Sequence, residues 1–201
     1  SRATEDAEHP YVVILGGAKI SDKIGVIQNM LAKADKVLIG GGMANTFLKA
    51  KGLAMADSLV DEEALQTAEE LLKEAGGKLH LPMDMVIADA FDNAAKRETM
   101  PVNDVPGGWR VLDIGPKTVE AYGKIIRDAG TVVWNGPMGV FEMPSFATGT
   151  FGIAQAVAEC KGTTIIGGGD SVAAVNQSGL SEKVTHISTG GGASLEMLEG
   201  L

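Results

Sequence analysis

Short apolar segments alternate along this chain with segments whose apolar residues recur at helical spacing. The apolar segments are rich in β-branched residues and lack polar alternation. This pattern predicts strands that are covered on both faces, as in a parallel sheet. The predicted strands are Tyr11–Leu15, Val37–Ile39, Met85–Ala88, Val111–Leu112, Thr131–Trp134, Thr163–Ile166 and Thr185–Ile187.

The segments between these strands are predicted to form amphipathic helices. Apolar residues share one helical face from Ile24 to Leu31, from Leu65 to Leu72 and from Val119 to Ala129. Strands alternating with helices predict a doubly wound three-layer α/β/α sandwich with a mostly parallel, Rossmann-like sheet. The segment Phe91–Trp109 lacks clear periodicity and is predicted to be an extended surface loop. No linker divides residues 1–201, so we expect one domain.

Composition narrows the classes of partner. The formal net charge is −9, which disfavours nucleic acid or an anionic membrane as the main partner. Cys160 is the only cysteine, so the chain has no internal disulfide and no thiolate metal site. No apolar stretch approaches the roughly 20 residues that span a bilayer. The segment Ser1–Pro10 is polar and acidic, unlike a signal peptide, so a cytoplasmic location is expected.

The 27 glycines cluster after predicted strands. The carboxyl ends of parallel strands meet at one edge of the sheet, where open α/β sheets bind ligands. Glycine lets the backbone approach a ligand, and a following helix N-terminus suits a phosphate. A single cluster is most simply a tight turn, but five at one edge favour a ligand. The clusters are Gly16–Lys19, Gly40–Met43, Asn135–Gly139, Gly167–Asp170 and Ser188–Ala193.

The familiar nucleotide motifs are missing. Neither G-x-x-x-x-G-K-[ST] nor G-x-G-x-x-G follows a predicted strand. The second strand runs into Gly40 instead of an acidic residue that would bind a ribose 2′-hydroxyl. A nicotinamide-dependent dehydrogenase is therefore disfavoured. Lys19 and Lys23 stand four apart at the predicted start of the first helix, where cations are normally unfavourable. They suggest a bound anion, although exposed lysines without function are common.

Three further side chains are candidates for ligand contacts. Asp170 follows three glycines and is predicted to begin a helix, either as its N-cap or as a carboxylate ligand of Mg²⁺, and the two roles are compatible. Glu142 can accept hydrogen bonds from ribose hydroxyls, but a solvated surface position is equally consistent with the sequence. Phe91 is the aromatic residue that we expect near a base.

Five segments of the chain, in the same order, closely resemble motifs of the phosphoglycerate kinase family. The likeness extends from about Tyr11 to Gly200. It implies that residues 1–201 are the carboxyl-terminal, nucleotide-binding domain and that the amino-terminal substrate domain is absent. The matching segments are Gly16–Lys23, Gly40–Ala44, Val132–Glu142, Gly167–Ser171 and Ser188–Glu196.

The resemblance implies a role for each matching residue. Lys19 contacts the transferring phosphoryl group, Lys23 the α-phosphate side, and Asp170 holds Mg²⁺. Gly191 and Gly192 direct their backbone N–H groups at the transferring phosphoryl group. The other implied nucleotide-binding residues are Gly41, Gly42, Leu59, Phe91 and Leu112 at the adenine, Asn135, Pro137 and Val140 along the nucleotide, Glu142 at the ribose, and Gly168, Gly169 and Ser171 at the phosphates.

The implied function is binding of Mg-ADP or Mg-ATP by one half of a monomeric glycolytic kinase. That enzyme transfers a phosphoryl group between 1,3-bisphosphoglycerate and ADP. Recognition of a phosphate together with a carboxylate favours an arginine cluster, so this chain alone is expected to have little or no catalytic activity. Its four arginines are scattered, at Arg2, Arg97, Arg110 and Arg127. The alternative is a free-standing nucleotide-binding module without catalysis.

Overall fold

The computed structural model describes residues 7–188, which contain nine strands and six α-helices. No helix among these residues combines the length and the apolar character needed to span a membrane. The strands are β1 (Tyr11–Leu15), β2 (Lys36–Ile39), β3 (Leu79–His80), β4 (Asp84–Ala88), β5 (Arg97–Pro101), β6 (Arg110–Ile114), β7 (Thr131–Asn135), β8 (Thr163–Gly167) and β9 (His186–Ile187). The helices are α1 (Ile24–Lys33), α2 (Gly41–Ala50), α3 (Leu65–Glu74), α4 (Pro116–Arg127), α5 (Thr148–Glu159) and α6 (Gly169–Gln177).

The main sheet has six strands in the order β3-β2-β1-β7-β8-β9. Every neighbouring pair is parallel, so the carboxyl ends of all six strands lie at one edge. Helices cover both faces, as expected for a parallel sheet of buried strands. The predicted doubly wound α/β fold is therefore confirmed.

Strand β1 is apolar at every position because both of its faces are covered by helices. Tyr11, Val13 and Leu15 pack into a cluster with residues of α1, α2 and α3 on one face. Val12 and Ile14 pack into a second cluster, with residues of α4, α5 and α6, on the other face. Since successive side chains of a strand point to opposite faces, a central strand between two helical layers needs apolar residues at every position.

A second sheet corrects the strand assignments. The predicted strands at Met85–Ala88 and Val111–Leu112 belong to an antiparallel sheet in the order β5-β4-β6, and not to the parallel sheet. The prediction of a loop throughout Phe91–Trp109 was also wrong, because β5 lies inside this segment. Four of the five β5 residues are exposed, so this edge strand has no apolar pattern that could reveal it.

Helix α4 ties the two sheets together. The Asp84 carboxylate on β4 accepts hydrogen bonds from the backbone N–H groups of Lys117 and Thr118, both at 2.9 Å, in the first turn of α4. From the next turns of the same helix, Tyr122 donates its hydroxyl to the carbonyl oxygen of Ile39 at 2.7 Å. Ile39 is the last residue of β2, so these bonds hold the second sheet beside the carboxyl edge of the main sheet.

Candidate functional site

An open cleft of about 470 Å³ lies between the carboxyl edge of the main sheet and the second sheet. Its volume falls within the range of roughly 300–1,000 Å³ that is usual for small-molecule sites. Backbone from the loops after β1, β2 and β7 forms one wall, and β6 contributes to the other. Of the predicted site residues, the cleft wall includes Gly41, Gly42, Leu59, Phe91, Leu112, Pro137, Val140, Glu142 and Asp170.

Other predicted site residues lie behind or beside this wall. Lys19 is exposed in the turn between β1 and α1. Ser171 is fully buried, and its hydroxyl accepts a hydrogen bond from the backbone N–H of Gly136 at 2.6 Å. This contact makes Ser171 a support of the loop after β7. Gly191 and Gly192 lie outside the described residues.

Many glycines at the rim are required by contacts between neighbouring loops. A β-carbon on Gly136 would overlap the carbonyl oxygen of Gly16, and Gly136 also has a φ of +103°. A β-carbon on Gly41 would lie 2.8 Å from the backbone nitrogen of Gly17. The simple structural explanation therefore holds for these glycines, because larger residues would push the loops apart.

Gly169 differs from the glycines that pack between loops. Among residues 7–188, no atom lies within 4 Å of a β-carbon placed there, so no contact within this part of the chain requires glycine at this position. Gly169 is exposed and is the first residue of α6, where backbone N–H groups lack helical partners. An exposed helix N-terminus beside the cleft is suited to an anion.

The side chain of Lys23 lies at the same rim of the cleft. Its ammonium donates to the carbonyl oxygen of Gly16 at 2.7 Å and to the side-chain amide oxygen of Asn135 at 3.2 Å. Burial lowers the pKa of Lys23 to about 8, while the charges of Asp22 and Asp170 act to raise it. Both hydrogen-bond partners are neutral groups, so an anion bound at the rim would compensate the charge of the ammonium.

Two expectations about helix starts were wrong. Helix α1 begins at Ile24, so Lys23 is its N-cap residue and Lys19 precedes the helix. Helix α6 has Gly168 as its N-cap, with a φ of +86° and no side-chain capping bond. Asp170 is therefore the second residue of α6 and not its cap. Its exposed carboxylate belongs to the cleft wall, where it is available to a ligand.

A β-bulge in β6 shapes the opposite wall, and no sequence signal predicted it. Val86 pairs with Asp113, whereas the next residue of β4, Ile87, pairs with Val111. Leu112 is therefore the extra residue of the bulge, a feature that commonly redirects a side chain. The carbonyl oxygen of Leu112 accepts a hydrogen bond from the backbone N–H of Val140 at 2.9 Å. The bulge thus lies beside Val140, so that Leu112 and Val140, which are both predicted to contact the nucleotide, are held next to each other.

Sequence reasoning also missed two polar residues that support the site. Asn45 on α2 donates to the carbonyl oxygen of Leu59 at 3.1 Å and so orients that residue. Asp113 is buried, and its carboxylate accepts hydrogen bonds from the backbone N–H groups of Ile114 and Gly149, each at 2.9 Å. Burial raises the pKa of Asp113 to about 8, against the effect of these two bonds. The signal for Asp113 that was available in the sequence is an acidic residue within an apolar strand.

Replacing Asp113 by asparagine is expected to remove part of the pH dependence of stability. Because the pKa of Asp113 is raised in the folded state, the folded chain binds more protons than the unfolded chain between about pH 4 and 8. The wild-type protein should therefore lose stability relative to Asp113→Asn as the pH rises from 5 to 8. We expect a relative change of about 1 kcal/mol or more, since one pKa unit corresponds to about 1.4 kcal/mol.

Urea unfolding of both proteins at pH 5 and pH 8 measures this difference. Asp128→Asn, which removes an exposed carboxylate, controls for the change in net charge. A stability difference between wild type and Asp113→Asn that is the same at both pH values would contradict the assignment.

Comparison with known proteins agrees with the geometry. The family model described as phosphoglycerate kinase matches residues 1–201. The phosphoglycerate kinase of Roseiflexus sp. (strain RS-1) is 62% identical over 201 residues, which cover 98% of this chain and 51% of that protein. The phosphoglycerate kinase of Latilactobacillus sakei subsp. sakei (strain 23K) is 58% identical over 199 residues. The chain spans about half the length of the curated relatives that it matches.

Solved structures give the same result. The phosphoglycerate kinase structure from Coxiella burnetii matches with a TM-score of 0.95 and 42% identity, covering 99% of this chain and 53% of that one. The structure from Pyrococcus horikoshii OT3 matches with a TM-score of 0.87 and 35% identity, covering 99% of this chain and 51% of that one. Sequence motifs, fold and all three comparisons agree: this chain belongs to the phosphoglycerate kinase family.

Proposed function

We propose that the cleft binds Mg-ADP or Mg-ATP and that the chain is the nucleotide-binding, carboxyl-terminal half of a phosphoglycerate kinase. The observation that carries this proposal is the convergence of nine predicted nucleotide contacts on one cleft of suitable volume. They come from segments as distant in the sequence as Gly41 and Asp170. The relatives are about twice as long as this chain, which supports a second half of the enzyme that binds the other substrate.

The wall formed near the second sheet suits the base and the ribose. Leu59 and Phe91 are 56% and 59% exposed, which is unusual for large apolar side chains, and both belong to the cleft. A flat base covering them would remove apolar surface from water. Leu112 and Val140 extend this apolar surface, and Glu142 is exposed beside them to accept hydrogen bonds from ribose hydroxyls.

The rim of the main sheet suits the phosphates. The N-terminus of α6 at Gly169 and the ammonium of Lys23 both favour negative charge there. Among the described residues, no group of three or more His, Cys, Asp or Glu side chains can hold a metal ion alone. The single carboxylate of Asp170 fits Mg²⁺, which binds through one or two carboxylates together with substrate phosphates. Bound Mg²⁺ would neutralise negative charge on those phosphates.

The proposed reaction requires positioning and charge stabilisation and no covalent enzyme intermediate. In the direction of ATP synthesis, a β-phosphate oxygen of ADP forms a bond to phosphorus while the bond from phosphorus to the carboxylate of 3-phosphoglycerate breaks. Lys19 is exposed before α1, where it can contact the transferring group. Gly191 and Gly192 are proposed to donate backbone N–H groups to the same group.

The second substrate is proposed to bind in the other half of the enzyme, because the arginines described here do not form a cluster. Arg110 lies in the cleft, 3.3 Å from the carboxylate of Asp57. Arg127 is paired with Glu159 at 2.6 Å on the helical surface. Arg97 lies on β5, outside the cleft wall. A site for a phosphate and a carboxylate favours several arginines together.

Calorimetry with Mg-ADP tests the binding proposal directly. We expect the 201-residue chain to bind Mg-ADP with a Kd between the micromolar and millimolar ranges, and a folded sample without nucleotide binding would refute the proposal. Mixing the chain with a separately produced amino-terminal domain tests catalysis. Recovered ATP-dependent phosphorylation of 3-phosphoglycerate supports a kinase half, whereas binding with persistent inactivity supports the non-catalytic module.

A further inference from the structure

A charged pair, Arg110 and Asp57, stands at the apolar end of the cleft. Both side chains belong to the cleft wall, beside the residues proposed to contact the base. Arg110 Nη2 lies 3.3 Å from Asp57 Oδ2 and donates to the carbonyl oxygen of Gly108 at 3.1 Å. Leu59 and Leu112 are each two residues from one member of the pair. The pair therefore adjoins the proposed position of the base.

Backbone contacts fix this arrangement. The backbone N–H of Asp57 donates to the carbonyl oxygen of Trp109 at 3.0 Å. The backbone N–H of Val111 donates to the hydroxyl of Ser58 at 2.9 Å. These two bonds hold the segment that carries Asp57 alongside the start of β6. Arg110 consequently projects from a backbone that is fixed on both sides, as a specificity-determining side chain requires.

Arg110 also has an unused hydrogen-bond donor. Among residues 7–188, its Nε is the one buried side-chain nitrogen or oxygen atom without a hydrogen-bond partner. Such unsatisfied buried groups are uncommon and require an explanation. The pair with Asp57 is weak, because the distance is 3.3 Å and the Asp57 side chain is 55% exposed. A ligand that offers acceptor atoms can therefore compete with Asp57 for the guanidinium.

We infer that Arg110 contacts the edge of the nucleobase and raises the affinity of the cleft for 6-oxopurine nucleotides such as GDP relative to adenine nucleotides. This inference rests on the proposed nucleotide binding. Guanine presents two neighbouring acceptors, O6 and N7, which match the parallel N–H donors of a guanidinium. On the same edge, adenine presents N7 beside an amino group, which is itself a donor, so this edge offers the guanidinium only one acceptor. Arg110 should therefore contribute more to binding of GDP than to binding of ADP.

Affinities for Mg-ADP and Mg-GDP, measured by calorimetry on the 201-residue chain, test this inference. Arg110→Met is expected to weaken GDP binding about 10-fold and ADP binding by no more than about twofold. Arg110→Lys should shift the ratio in the same direction, because an ammonium cannot donate two parallel hydrogen bonds. Arg97→Met, which removes an arginine outside the cleft wall, should leave the ratio unchanged.

Every other outcome overturns the inference. An unchanged ratio of ADP to GDP affinity in the Arg110 variants, or equal weakening of both nucleotides, excludes a base contact by Arg110. If Arg110→Met does not fold, as judged by circular dichroism, Arg110→Lys decides the question. A wild-type chain that binds ADP but not GDP overturns only this inference, whereas failure to bind either nucleotide also overturns the proposed function.

Discussion

Replacing Lys23 by methionine is expected to weaken binding of Mg-ADP by about 10- to 100-fold, since a hydrogen bond to a charged group contributes about 1.5–3 kcal/mol. Methionine keeps the length of the side chain but removes the ammonium that lies at the rim of the cleft. The ammonium is already held by Gly16 and Asn135, so it needs little ordering when a phosphate binds. Isothermal titration calorimetry at pH 7 measures the change.

Lys124→Met is the matched control for Lys23→Met. It removes the same charge from α4, where the Lys124 side chain is 75% exposed and lies 3.8 Å from Glu120. It should leave the affinity for Mg-ADP unchanged. If the two variants weaken binding equally, the effect of Lys23 comes from net charge alone and the proposed phosphate contact is wrong.

The lowered pKa of Lys23, about 8, also predicts how binding depends on pH. Raising the pH from 7 to 9 deprotonates the free protein at Lys23, so the affinity for Mg-ADP should fall in wild type and stay flatter in Lys23→Met. The stability of the free protein should change in the opposite direction. Between about pH 8 and the ordinary pKa near 10.4, the unfolded chain holds more protons, so the wild type gains stability relative to the variant.

Replacing Gly136 by alanine is expected to lower the free energy of unfolding by about 3 kcal/mol or more. The added methyl group would overlap the backbone of Gly16, which cannot move aside as a flexible side chain would. The φ of +103° adds strain that any residue other than glycine would experience. Urea unfolding and the thermal midpoint measure the loss.

Gly169→Ala distinguishes glycine that is needed for packing between loops from glycine that leaves room for a ligand at the rim. The added methyl group meets no atom of the described residues within 4 Å, and alanine is favourable in a helix, so stability should stay the same or rise slightly. If a phosphate binds at the N-terminus of α6, the methyl group should nevertheless weaken Mg-ADP binding. A variant that is as destabilised as Gly136→Ala, or that binds Mg-ADP like wild type, would contradict this distinction.

The sequence predicted the main sheet well because its strands are buried between two helical layers. Segments such as Tyr11–Leu15 must be apolar at every position, and that requirement is visible in the sequence. Strand β5 contains Arg97, Glu98 and Thr99 and is mostly exposed, so the same reasoning could not find it. Strand β3 has only two residues, too few to show a pattern.

The sequence by itself determined the parallel α/β sheet, the glycine loops at its carboxyl edge and the residues that mark the family. These depend on local patterns and on the order of motifs along the chain. Only the tertiary structure decided that Gly136 packs against Gly16 while no described residue crowds Gly169, that Lys23 is partly buried beside Asn135, and that a bulge presents Leu112. Each of these features depends on contacts between distant segments, and no local pattern encodes such contacts.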